Sequence, residues 1–216
     1  IVLKRRDNAP IVKDVYGGII DILMKERSIV KSIDFLKAML KTIVDGDIPI
    51  DKLVITKSLR GNYKNPLQIA HKVLADRMTE RDPGNKPGPG DRIPFAYFVN
   101  KNKKCLQGDK IEVPSYIIEN KLELDYAHYI TNQIMKPVQQ IYALVLDKIP
   151  DFNIKPMKKN RFNKEIKNYR LTMEHEKAEK KIEQIKNKQV QELLFDKFIK
   201  QCKKGNNNLS NYFQII

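Results

Sequence analysis

Lys4, Arg5 and Arg6 are three consecutive cations followed at once by Asp7. Such side chains make and break no bonds of their own. Their chemistry is the charge-assisted capture of phosphate oxygens, which positions a protein on a polyanion without reading its sequence. The alternative use of the same residues is internal, with one arginine paired to Asp7. A second group, Lys57, Arg60, Tyr63 and Lys64, places cations and an aromatic ring in an irregular connector. From there they reach phosphates or sugars, or stay solvated. Arg77 and Arg81 share one face of a helix at a spacing of four, and His71 lies almost two turns earlier. A lone histidine with no metal partner is more often a satisfied structural residue. The acidic residues are scattered singly among basic ones, so the expected catalytic set is none and the expected metal set is none. Cys105 and Cys202 have no paired spacing, which indicates neither a disulfide framework nor a zinc site and fits a reducing interior.

The balance of 41 Lys+Arg against 26 Asp+Glu leaves a formal charge of +15 over 216 residues. Lysines and arginines in such excess displace counterions condensed on phosphates, so a nucleic acid is the first partner to expect. A charged surface with no such partner is the alternative. A hydrophobic content of 41% is ordinary for a globular chain and suits one domain plus an extension. Apolar runs such as Ile134 to Leu146 are interrupted by lysine, proline or glutamine and fall short of the roughly 20 residues that span a bilayer. The sequence opens on Ile1-Val2-Leu3 without an initiator methionine, and the expectation is that it begins inside a longer polypeptide.

These residues are carried by elements that the hydrophobic period predicts. Ile11, Val15, Ile19, Ile22 and Leu23 mark a helix from Ile11 to Met24, with Asp7 or Asn8 as N-cap and Pro10 in its first turn. Ser28 or Ser32 starts a second helix that ends near Gly46 and packs antiparallel on the first. Leu53 to Thr56 is β-branched and predicts a strand, and a third helix runs from Leu67 to about Arg81. The Pro/Gly stretch from Asp82 to Gly90 is a loop. Arg92 to Val99 and Ile111 to Tyr116 are strand-like, forming a small β element. A long helix from Asp125 to about Lys148 should kink at Pro137. From Lys158 to Lys204 the composition is dominated by lysine, glutamate, glutamine and asparagine, which predicts a charged helix rather than a core. Gly205 to Asn208 is a polar linker.

An ordered series of short matches resembles the thumb of a family B DNA polymerase, most closely the eukaryotic delta type and its large-virus relatives. The series is Lys4-Arg5-Arg6-Asp7, Leu53 to Leu59, His71 with Leu74 to Met78, Arg81-Asp82-Pro83-Gly84, Gly90-Asp91-Arg92-Ile93-Pro94, and Tyr129 with Asn132, Gln133 and Pro137. Together these cover roughly residues 4 to 150. The resemblance implies an α+β, predominantly α-helical thumb with a small β element and a charged helical C-terminal extension. It divides the chain into the end of the palm (1–10), the thumb (11–150), a lysine-rich helical extension (151–204) and a flexible tail (205–216). It implies that Lys4, Arg5 and Arg6 meet primer phosphates at the palm–thumb junction, and that His71 and Arg77 occupy matching places. The turn at Gly90 to Arg92 would face the duplex, so that Arg92 and Lys86 reach the backbone, unless Asp91 and Arg92 simply pair. Tyr129, Asn132, Gln133 and Pro137 have helical spacing that suggests packing. The expected DNA-contact set is Lys4, Arg5, Arg6, Lys57, Arg60, Lys64, His71, Arg77, Arg81, Lys86 and Arg92.

The same resemblance places catalysis elsewhere. The family's palm motif, two aspartates flanking a threonine, is absent, as is the lysine-rich nucleotide-binding helix of the fingers. No cofactor is therefore expected in this chain, and Mg2+ is expected at an upstream palm site of the parent enzyme, a DNA-directed DNA polymerase. Upstream palm, fingers and exonuclease domains and primer-template DNA are the expected partners, with no membrane. The nucleus or a viral replication compartment is the expected location. The extension lacks the paired cysteines that hold metal in the tail of cellular delta polymerases.

Asn206, Leu209, Tyr212 and Phe213 resemble a sliding-clamp-binding peptide. Leu209, Tyr212 and Phe213 have the i, i+3, i+4 spacing of a three-pronged apolar plug on a short helical turn. Asn206 stands where such peptides carry glutamine. The competing identity is a freestanding basic nucleic-acid-binding or scaffold protein without enzymatic activity. An in-frame two-aspartate palm motif upstream separates the two.

Overall fold

A computed structural model of the chain describes residues 2–102, 104–154 and 156–202. Its elements are α1 (Pro10–Asp21), α2 (Ile29–Asp45), β1 (Ile55–Ser58), α3 (Ala70–Arg81), β2 (Arg92–Tyr97), β3 (Ile111–Glu112), α4 (Pro114–Glu119), α5 (Tyr126–His128), α6 (Met135–Leu144), α7 (Pro150–Asn153), α8 (Pro156–Thr172) and α9 (His175–Leu194). This is an α+β architecture, mostly helical. It divides into two compact units, residues up to 14 with 46–129, and residues 15–45 with the described residues from 130 onward.

The first unit is organised by an antiparallel sheet in the order β1-β2-β3. Ile55 lies opposite Phe95 and Ser58 opposite Arg92, while Ala96 lies opposite Glu112. Ile55, Ile93, Phe95, Ala96 and Ile111 are buried, as are Leu74 and Ala75 of α3. The strand β1 starts two residues later than Leu53, which closes a short 3-10 turn instead. Between α3 and β2 the chain turns as its prolines and glycines require. Gly90 takes φ 96°, and hydrogen bonds from Gly90 N to Leu59 O (2.9 Å) and from Leu59 N to Asp91 O (2.8 Å) tie the turn to the end of β1. The strand expected from Ile111 to Tyr116 is only two residues long. Pro114 has no N–H to give a ladder and fits the first turn of a helix, so α4 begins there.

Tyr129 is fully buried, and its hydroxyl donates to Leu53 O (2.7 Å) while accepting from Tyr97 N (2.9 Å). The expected long helix after Asp125 is broken before Pro137, by a wider π turn over Tyr129–Ile134, and α6 then resumes. Proline cannot donate to the carbonyl one turn back, and the local backbone accommodates this ahead of it.

In the second unit Ser28 Oγ accepts from Lys31 N (3.2 Å) at the start of α2, which buries Ile33, Leu36, Leu40 and Ile43. The Phe35 ring lies where a Cβ on Gly18 would collide, so the absence of a side chain there lets the two helices approach. Asp7 and Asn8 are not the caps of α1: Asp7 is engaged by Arg5 and Lys57, and the Asn8 amide donates to Val2 O (3.3 Å). Tyr142 of α6 donates to Ser32 Oγ (3.0 Å), and burial pushes its phenol up to about 12 against the opposing effect of that bond. The lysine-rich region is two helices with different fates. On α8 only Phe162 is buried, set edge-on to Phe152 at 5.4 Å. On α9 Ala178, Ile182, Val190 and Leu194 are buried, and the Gln139 amide of α6 donates to Asn187 O (3.2 Å). The expectation of a purely charged helix therefore holds for α8 and fails for α9. Its apolar residues, spaced four and eight apart, form one continuous buried stripe.

Candidate nucleic-acid interface

Five residues of the expected contact set come together around one cleft in the first unit. Arg6, Asp7, Thr56, Lys57, Ser58, Arg60, Tyr63, Ile69, His71 and Arg92 line a cavity of about 590 Å³. The elements explain the convergence. β1 delivers Lys57 and Ser58, the connector after it delivers Arg60 and Tyr63, the first turn of α3 delivers His71, and the antiparallel register puts Arg92 beside Ser58. Four cations face one carboxylate there, so the field of the cleft is positive.

Each cation is held differently. Arg92 Nη2 donates to Thr56 O (3.1 Å) and Thr56 Oγ1 (2.7 Å), and Nη1 to Ser58 Oγ (3.2 Å). Neutral partners orient this guanidinium without cancelling its charge. Asp91 accepts instead from Gly88 N (2.7 Å), so the internal Asp91–Arg92 pair is not formed. Lys57 Nζ lies 3.1 Å from Asp7. Arg5 takes both carboxylate oxygens of Asp7 through Nε (2.9 Å) and Nη2 (2.8 Å), outside the cleft lining. The hydrogen bonds from Arg5, with Lys57 assisting, hold the Asp7 carboxyl well below the usual carboxylate range against the opposing effect of burial. Arg6 lines the cleft with an exposed side chain.

The Tyr63 hydroxyl accepts from Arg60 N (2.8 Å) and lies 3.1 Å from His71 Nε2. Burial lowers the His71 pKa, and the charges of Lys57 and Arg60 lower it further against a hydrogen bond with the Ser58 backbone. His71 is thus a neutral strut for Tyr63 near neutral pH. Lys4, Lys64 and Lys86 are exposed and stand outside the cleft lining.

Arg77 and Arg81 have internal partners. They do share a face of α3, as their spacing dictates, but that face points at Glu112. Arg81 Nη1 and Nη2 donate to the two carboxylate oxygens (3.1 and 2.9 Å), and its guanidinium lies 3.8 Å over the Tyr116 ring. Arg77 donates to Gly108 O (2.9 Å) and Ile111 O (2.6 Å), with Nε 3.4 Å from Glu112 but not aligned for a hydrogen bond. Both guanidiniums are thus engaged inside the unit, around a residue that is 3% exposed. The signal in the sequence was Glu112 itself, an acid between Ile111 and Val113 in an apolar strand, which needs a buried cation. Thr56 and Ser58 were missed as well. They are ordinary polar residues, made relevant only by the register opposite Arg92.

Among the described residues no group of three or more His, Cys, Asp and Glu is arranged to hold a metal ion. Asp7, Asp91 and Glu112 are each engaged by cations or backbone N–H groups. Among the same residues no helix is long and apolar enough to cross a membrane. Asn206, Leu209, Tyr212 and Phe213 lie outside the described residues.

Comparison with known proteins matches the profile of DNA polymerase family B to residues 1–145. The chain is 50% identical to a DNA polymerase of Pyramimonas orientalis virus, over 100% of this chain and 18% of that protein. It is 55% identical to a DNA polymerase of Acanthamoeba polyphaga mimivirus, over 68% of the chain and 9% of that protein. A DNA polymerase delta catalytic subunit of Caenorhabditis elegans is 36% identical over 66% of the chain and 13% of that protein. The chain thus spans less than a fifth of the length of these relatives. Among solved structures, the family B DNA polymerase of the archaeon Pyrobaculum calidifontis superposes with a TM-score of 0.50 at 16% identity, over 60% of this chain and 17% of that one. At that identity the likeness concerns the fold.

Proposed function

The chain belongs to DNA polymerase family B, and on that premise we propose that it is the thumb and C-terminal extension of a DNA-directed DNA polymerase, gripping the duplex behind the primer end. The observation that carries this is the cleft formed by Arg6, Lys57, Arg60 and Arg92 around Tyr63 and His71. Four cations facing one carboxylate attract phosphate oxygens without reading bases, which suits an enzyme that must accept any sequence. Nucleotidyl transfer, and the carboxylates and magnesium that it needs, are assigned to the remainder of the parent polymerase. The spacing of Leu209, Tyr212 and Phe213 after Asn206 supports a sliding-clamp peptide in the tail, to be tested by calorimetry with a synthetic peptide of residues 203–216.

The grip is tested on the whole chain by titrating duplexes of several sequences over a range of salt. Affinity should be independent of sequence, and the double variant Lys57→Ala, Arg92→Ala should lower the log–log salt slope by about 2, one for each phosphate contact. An unchanged slope in a folded double variant refutes the assignment of the cleft.

A further inference from the structure

The charge of α8 is not absorbed by the cleft. Along this helix Arg161, Lys164, Lys167 and Arg170 recur every three residues and are all exposed, with Asn160, Asn163 and Asn168 exposed among them. At a rise of about 1.5 Å per residue the four cations span about 13 Å. The opposite side of the helix is fixed in the second unit by Phe162 on Phe152, and Ile166 and Tyr169 are partly covered on the same side. The single acid of α8, Glu165, accepts from Tyr169 Oη (3.0 Å), and Arg170 pairs with Glu179 of α9 (3.0 Å). Arg161, Lys164 and Lys167 have no carboxylate within ion-pair distance among the described residues.

Like charges one turn apart destabilise a helix by a few tenths of a kcal/mol per pair. Arg161, Lys164 and Lys167, with no acid paired to them, are the complement of a polyanion. The exposed side of α8 carries no aromatic ring on which an unstacked base could rest, and Asn160, Asn163 and Asn168 add amides able to hydrogen-bond to phosphate and sugar. Its exposed Met157 and Leu171 lie near opposite ends of the helix rather than in a patch. We propose that the outer face of α8, centred on Arg161, Lys164 and Lys167, is a second and separate docking surface for the phosphate backbone of duplex DNA. It lies beyond residues 1–145, which the family profile matches. The surface is carried by the second unit and the cleft by the first, so it stands whether or not the cleft grips DNA.

The test uses the full chain and labelled duplexes of unrelated sequence. The triple variant Arg161→Ala, Lys164→Ala, Lys167→Ala should lower the salt slope by about 2.7, at about 0.9 for each contact. Alanine is the better helix former, so α8 should persist, as checked by circular dichroism. Lys164→Arg with Lys167→Arg should keep the slope. A control triple variant, Lys181→Ala, Lys188→Ala, Lys197→Ala, removes equal charge elsewhere and should change the slope by less than about 1. A wild-type slope in the α8 variant overturns the proposal. An equal fall in the control reduces the effect to net charge and also overturns it, as does preferential competition by a single strand of the same phosphate number. Failure of the cleft appears separately, as an unchanged slope in the Lys57→Ala, Arg92→Ala variant.

Discussion

Replacing Glu112 with alanine should be among the most damaging single substitutions in the first unit. Its carboxylate is 3% exposed, accepts two hydrogen bonds from Arg81, accepts from Val113 N (3.0 Å) and neighbours Arg77 Nε. Breaking a buried ion pair from one side costs about 3–5 kcal/mol, because the partner charge is left uncompensated. Arg81 and Arg77 keep 37% and 25% of their side-chain surface in water, and Arg77 retains its two carbonyl acceptors. The lower half of that range applies, about 3 kcal/mol. For a chain of this length that lowers Tm by about 6–12 °C. Glu112→Gln keeps the shape and one acceptor and should lose roughly half as much. Urea denaturation of the whole chain, followed by far-UV circular dichroism, measures both variants. The double substitution Glu112→Leu, Arg81→Met should recover part of the loss, since a packed apolar pair need not be worse than an ion pair. A loss below about 1 kcal/mol for Glu112→Ala would show that α3 is held to β3 by apolar packing alone, and would return Arg77 and Arg81 to the solvent-facing cations.

Tyr129→Phe removes the one hydroxyl that satisfies both Leu53 O and Tyr97 N, and should cost about 2–3 kcal/mol in the same assay; a loss under about 0.5 kcal/mol would mean that these groups find other partners. His128 is stacked on Tyr97 with centroids 3.5 Å apart, and burial lowers its pKa to about 4. The unfolded chain then takes up that proton first as pH falls, so stability should decline between about pH 6.5 and 4 and be flat in this respect above it. His128→Phe keeps a stacked ring and should flatten the decline; an unchanged pH profile of stability would show that His128 is not its source. Asp7 acts at lower pH, its depressed carboxyl contributing stability that is lost only below the usual carboxylate range.

The composition alone determined that the chain carries a large excess of positive charge, and its periodic apolar residues determined most helices. Helix-forming patterns are local, so α2 and α3 could be placed to within a few residues, and the loop from Asp82 to Gly90 followed from proline and glycine chemistry. The ordered motifs determined the family. What the sequence left open was which cations share a site and which are consumed internally. Arg77, Arg81 and Arg92 look alike in the sequence, yet two of them close on Glu112 across 31 or more residues, while antiparallel pairing sets the third beside Thr56 and Ser58. A side chain's partner is chosen by strand register and by the face a helix buries, and both are properties of long-range packing. The same holds for α8 and α9, both lysine-rich but unequal in burial. Only the docking of α9 on α6 decided that one helix supplies core and the other presents its charge to solvent.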